Sequence, residues 1–235
     1  MTMETKGIIL VADNESHFNS GLRSLIREAW KEANVAADDA LFTEAYDYAD
    51  TQLKRVVDEL PQKSFQDLLG SKIGIQLGYL AQNGHFPPAA VETKTPELTA
   101  LCKKALADLI DKEKAGLSES SPACSIALIA DLKMNLKTLL NEWGLAGYFK
   151  EIVDVNDLKK PESCQQVLEE VIRHLGVSGD EVLIVSRSDK WLESGKKAGC
   201  QTLSADVASA SGKDSCSTYA KKLLGIVDYL LAAYC

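Results

Sequence analysis

Arg187 stands between two serines, Ser186 and Ser188, directly after an apolar run at 181–185. Its guanidinium is a planar fork of donors that matches a carboxylate or a phosphate. The same fork can instead close on an acid of the chain itself, such as Asp13. A second cationic position is Lys160, which with Lys159 precedes Pro161. It either binds an anion or is one of two solvated lysines ahead of a helix. Asp13 opens the polar cluster Asp13, Asn14, Glu15, Ser16, His17 that follows the apolar run 7–12. A plainer role is also open to it, capping the next helix together with Asn14 and Ser16. His17, His85 and His174 are lone histidines, which read as structural or solvent-facing. The six cysteines (Cys102, Cys124, Cys164, Cys200, Cys216, Cys235) form no CxxC pair and match no zinc or disulfide spacing. They read as buried or incidental thiols of a reducing compartment.

Composition bounds the partners. Hydrophobic residues make up 46% and charged residues 26% of the 235 residues, ordinary values for a chain with a sizeable core. A formal net charge of -8 argues against non-specific binding of nucleic acid or of an anionic membrane, both of which need a basic surface. No stretch approaches the roughly 20 apolar residues of a membrane span. A soluble, cytoplasmic or otherwise intracellular protein is expected, with room for a local basic pocket that takes a small anion.

The elements that must position these residues follow from apolar patterning. Runs at 7–12, 125–130, 181–185 and 200–203 are short and rich in β-branched residues. Each of the first three stops at a polar residue, as strands buried on both faces of a parallel sheet do. Helices are expected between them: 132–143, then one running to His174 with Pro161 in its first turn, then 192–198, with a terminal helix over 219–234. The terminal run either docks on the sheet or pairs with a second copy. From Ser125 onward the order is β-α-β-α-β, an α/β pattern that calls for a doubly wound, Rossmann-like parallel sheet. Between the first strand and Ser125 the chain is helical: 18–34, 39–60, 64–81 and 96–114. Leu41, Ala45, Tyr48, Ala49, Gln52, Leu53, Val56 and Leu60 form the expected core stripe of the second of these helices. A lone strand followed by helices and then the rest of the sheet implies an insertion. The core is therefore expected at 1–17 and 95–235, with a helical insertion at 18–94 over the carboxyl edge of the sheet.

This layout resembles the haloacid-dehalogenase superfamily with an α-helical cap after its first motif. The resemblance covers almost the whole chain and is strongest over 145–203. There Tyr148-Phe149, Lys160-Pro161, Leu175-Gly176-Val177 and Lys197-Ala198-Gly199 fall in the family's order and spacing. It implies an aspartate nucleophile after the first strand and a second acid two residues on for proton transfer. It also implies a lysine and Mg²⁺ to neutralise phosphoryl charge.

On this chain the resemblance places Asp13 at the nucleophile, Glu15 at the acid/base and Lys160 at the lysine. A shift of one residue puts Ala12 at the nucleophile position instead. Ser16 and His17 stand where the family has Gly and Thr. Where a hydroxyl normally ends the second strand, Ala130 cannot donate and Asp131 would repel a phosphate. Where two acids normally anchor Mg²⁺, Arg187 takes the first place and Trp191 or Leu192 the second, leaving Asp189 as the nearby carboxylate. A guanidinium cannot ligate a cation and opposes one electrostatically. No metal cofactor is expected; Mg²⁺, with Asp13 and Asp189 as its acids, belongs to the active alternative.

The function expected is that of a divergent hydrolase-like protein with impaired or absent Mg²⁺-dependent phosphatase chemistry. It would bind a small anionic ligand or a protein partner through Arg187, Ser186, Ser188, Asp131 and His17. The alternatives are an active phosphatase acting on a small phosphorylated metabolite, and a metal-free dehalogenase.

Overall fold

The computed structural model describes residues 5–13, 19–56, 65–118, 123–131, 136–155, 163–205 and 215–231. They divide into two compact units, one of 1–16 with 113–228, the other of 17–112 with 229–235.

The first unit is built on a five-stranded, all-parallel sheet: β1 (Gly7–Asp13), β2 (Ser125–Asp131), β3 (Glu151–Asp154), β4 (Val182–Ser186) and β5 (Gln201–Ser204), in the order β3-β2-β1-β4-β5. With it run α5 (Leu136–Glu142), α6 (Cys164–Leu175), α7 (Asp189–Lys197) and α8 (Ser215–Leu231). Ile8 to Ala12, Ile126 to Ala130 and Val182 to Val185 are all buried. Such uninterrupted apolar runs are what central parallel strands require, since both of their faces are covered. Ile9, Val11, Ala127, Ile129, Val182 and Ile184 pack against Val167, Leu168, Val171, Ile172 and Leu175 of α6 and against Trp191 of α7. Each aliphatic side chain of that layer stabilises the fold by about 1.5–3 kcal/mol.

α6 shows how local sequence sets an element. The Ser163 hydroxyl accepts the Gln166 N–H, and the Gln166 side chain accepts the Ser163 N–H in return, a capping box. Gly176 ends the helix at φ 75°, a left-handed position that suits glycine. The helix begins at Cys164 with its cap at Ser163; Pro161, expected in its first turn, lies outside the described residues. The edge strand β3 was not anticipated. Its four residues are all only partly buried, so it lacks the apolar run that marks its neighbours.

Gly179, in the turn before β4, meets the backbone of the α7–β5 connection. A Cβ placed there would lie 2.6 Å from the carbonyl oxygen of Ala198.

The second unit is helical. It contains α1 (Asn19–Glu32), α2 (Asp39–Val56), α3 (Phe65–Gln82) and most of α4 (Val91–Ser118). α4 starts before Pro96, where the sequence pattern would begin it. Thr95 Oγ1 donates to the Val91 carbonyl and Thr99 Oγ1 to that of Thr95, each at 2.7 Å. A boundary at 94/95 therefore falls inside this helix.

The buried stripe of α2 is Phe42, Ala45, Tyr46, Ala49, Asp50 and Leu53, while Tyr48 is exposed. The expected stripe is corrected by a rotation of one position. The residues that turn the helix are Tyr46 and Asp50, which face a fully buried lysine, Lys72 of α3. Lys72 pairs with Asp50, donates to the Tyr46 hydroxyl at 3.1 Å, and lies 4.3 Å from the Tyr46 ring centre. Burial, reinforced by the Asp50 charge, raises the Tyr46 phenol far above its ordinary pKa, so it stays protonated and can donate. Trp30 of α1 closes edge-on over Phe42 at 4.9 Å. Among the described residues, no helix is long and apolar enough to cross a membrane.

Two stability outcomes follow. Asp50→Ala leaves the Lys72 ammonium buried without its counter-charge and is expected to destabilise by about 3–5 kcal/mol in urea unfolding. Asp50→Leu combined with Lys72→Met should recover most of that loss; equal destabilisation by both variants would mean that packing, not charge, holds the site. Gly179→Ala should lower stability by about 1–3 kcal/mol, because the obstacle is backbone and cannot rotate away.

Candidate functional site

The carboxyl ends of all five strands lie on one edge of the sheet, since the strands are parallel. The chain builds outward from β1 to β2 and β3 on one side, and through β4 and β5 on the other. The order reverses between β1 and β4, and open α/β sheets bind their ligands at the carboxyl edge of such a switch point. β1 ends there with Asp13, whose Cα pairs with that of Asp131 at the end of β2. β4 ends with Ser186, and the turn Arg187-Ser188 leads into α7.

This turn is held by its serines. Ser186 is fully buried and its hydroxyl accepts the backbone N–H of Ser188 at 3.0 Å. Ser188, also buried, lends its carbonyl to the N–H groups of Trp191 and Leu192, each at 3.1 Å. Arg187, partly buried, is presented between these two fixed points. Asp189 begins α7 and is exposed.

Across β1, the carboxylate of Asp131 is oriented by α7. Oδ2 accepts the indole N–H of the buried Trp191 at 3.3 Å, and the Lys190 ammonium lies 3.8 Å from the same oxygen. Neither contact is legible from spacing, because Trp191 and Asp131 meet only through the pairing of β1 with both β2 and β4.

The structure thus brings Asp131, Ser186, Arg187 and Ser188 to the edge where Asp13 ends β1. Glu15, Ser16, His17, Lys159 and Lys160 lie outside the described residues, as does the side chain of Asp13. His174 sits in the last turn of α6, with Nδ1 2.7 Å from Glu151 Oε1, and His85 belongs to the helical unit. Burial pushes the Cys102 thiol up to about 12 and the Cys200 thiol to about 11, so neither is a thiolate at neutral pH.

The residues described here do not fit a magnesium site. Mg²⁺ takes hard oxygen donors in octahedral array. The β4–α7 turn instead offers a guanidinium and two hydroxyl-bearing residues, and Asp131 is already turned toward an ammonium and an indole N–H. Among the described residues, no group of three or more His, Cys, Asp or Glu could hold a metal ion.

The all-parallel sheet, with a helical segment between β1 and β2, agrees with the doubly wound α/β core and insertion expected from the apolar patterning. The fold is an α/β, parallel-sheet core with a helical insertion. No family model and no curated protein matches the sequence. Solved structures do align with it. A HAD-superfamily hydrolase of subfamily IA from Geobacter sulfurreducens aligns at 14% identity, covering 85% of this chain and 86% of that one, with a TM-score of 0.40. A Bacillus subtilis protein assigned as a HAD hydrolase, in a magnesium-bound form, aligns at 15% identity over 87% and 89%, with a TM-score of 0.42. A Thermotoga maritima protein assigned as a beta-phosphoglucomutase aligns at 14% identity over 94% and 98%, with a TM-score of 0.40. At such identities and scores the likeness carries no argument about what this chain does.

Ser186→Ala removes the acceptor for a buried N–H in the turn that carries Arg187. It is expected to cost about 1–3 kcal/mol of stability, and faster amide exchange at Ser188 should accompany it. Unchanged exchange there would show that the hydroxyl does not hold the turn.

Proposed function

We propose that this chain is a divergent protein of the HAD-like hydrolase fold that binds a small anionic ligand at the switch point. In this reading the Arg187 guanidinium supplies the positive charge that a metal supplies elsewhere in the family. The observation that carries it is the position of Arg187, one residue beyond β4, between two buried serines that fix its backbone. A guanidinium keeps its charge at any working pH and offers paired donors to a carboxylate or phosphate without a metal. The reading has Asp13 and Lys160 as neighbours of the ligand, and Mg²⁺-dependent phosphatase chemistry as weakened or lost. A protein partner at the same edge is a less economical reading, because a single buried-flanked cation suits a small acid group.

Calorimetric titration with inorganic phosphate, with and without Mg²⁺, tests it. Binding should need no metal, and Arg187→Gln should weaken it at least about tenfold, the measure of one charge-assisted contact. Binding that requires Mg²⁺, together with aryl-phosphate hydrolysis abolished by Asp13→Asn, would restore the active phosphatase in its place.

A further inference from the structure

Asp131 is an obstacle to the simplest form of that reading. A carboxylate at the end of β2, beside a site for an anion, repels it. The roughly 10 Å that two strand spacings put between the ends of β2 and β4 is short enough for this to matter between partly buried residues. Yet Asp131 is not tucked away. Its side chain is 32% exposed, and the buried Trp191 holds one of its oxygens in place through the indole N–H at 3.3 Å.

Two features of that carboxylate point to a ligand group. The first is what already sits beside it: the Lys190 ammonium, 3.8 Å from Oδ2 on a side chain that is 66% exposed. The same ammonium lies 5.8 Å from the Trp191 ring centre, and an ion pair with Asp131 this long and this open to water contributes little by itself. The second is the other oxygen. Among the described residues, nothing donates a hydrogen bond to Oδ1. An oriented carboxylate with one oxygen held, and no donor on the other among the described residues, can accept a cation, and the Lys190 ammonium stands where such a cation would sit.

We propose that Asp131 accepts the ammonium group of the ligand, so that the molecule bound at this edge is a small zwitterion. Its acid group is held by Arg187 and its ammonium, a few bonds away, by Asp131. The proposal rests on the anion-binding reading of Arg187 and adds the second half of the ligand. Asp131 then ceases to oppose binding and selects for it, turning away simple phosphate esters and simple carboxylic acids.

The test is a calorimetric contrast, run without metal at neutral pH and low salt, of 2-aminoethyl phosphate against ethyl phosphate, and of β-alanine against propionate. In at least one pair the amine-bearing member should bind about tenfold more tightly, the measure of one charge-assisted hydrogen bond. Asp131→Asn should level the two, since the amide keeps an oxygen for the Trp191 indole but loses the charge. Lys190→Met should widen the preference severalfold by removing the competing ammonium. Equal affinity within both pairs, or a preference that survives Asp131→Asn, overturns the zwitterion and leaves the anion site standing. Weaker binding of the amine-bearing probe in Lys190→Met also overturns it, because the lysine would then be holding the ligand. If none of the four probes binds, the anion site fails and the zwitterion falls with it.

Discussion

β1 has neighbours on both sides, and the pairing of this one strand with β2 and with β4 holds the carboxyl edge together. Its register with β2 sets Asp13 level with Asp131, and its pairing with β4 brings the Ser186-Arg187-Ser188 turn to the same edge. A slip of one residue in either pairing would turn alternate side chains to the other face of the sheet. In a strand apolar on both faces, such a slip would also move the polar end at Asp13 out of line with Asp131. The register is fixed by the burial of Ile8 to Ala12 on both faces, so the same hydrophobic layer that stabilises the sheet also aligns the polar residues at its rim.

At that rim opposite charges stand on the two sides of β1. Fixed positive charge comes from Arg187 on the β4 side, and negative charge from Asp131 on the β2 side. α7 serves both: its capping turn presents Arg187, and one turn later Trp191 reaches across to hold Asp131. One helix therefore couples the two charges, with an indole N–H in a buried position as the link. An indole suits that task because it fills the core layer with its ring and donates with its edge.

The helical unit obeys a different economy of charge. Lys72 and Asp50 are taken out of water together, with Tyr46 as the third member. Pairs of this kind are weak evidence for high stability but strongly penalise any arrangement that separates them. Here the pair fixes the facing angle of α2 against α3.

What the sequence determined by itself was whatever depends on local pattern. Continuous apolar runs announced β1, β2 and β4, and a 3.6-residue period announced most of the helices. The strand-then-helices order announced an α/β core with an insertion. The substitution of Arg187 for an acid was equally plain, because a residue's charge needs no coordinates. The tertiary structure decided what depends on neighbours distant in the chain. β3 is an edge strand with a half-buried pattern, so only its pairing with β2 reveals it. The stripe of α2 turned by one position because a polar residue, Asp50, is buried against a lysine 22 positions on, and hydrophobic periodicity cannot register a buried charge. Asp131 looked like a simple deficiency in the sequence. Only the contact with Trp191, 60 positions away, shows it as an oriented acceptor, because a hydrogen bond between strand and helix exists only once the sheet between them is paired.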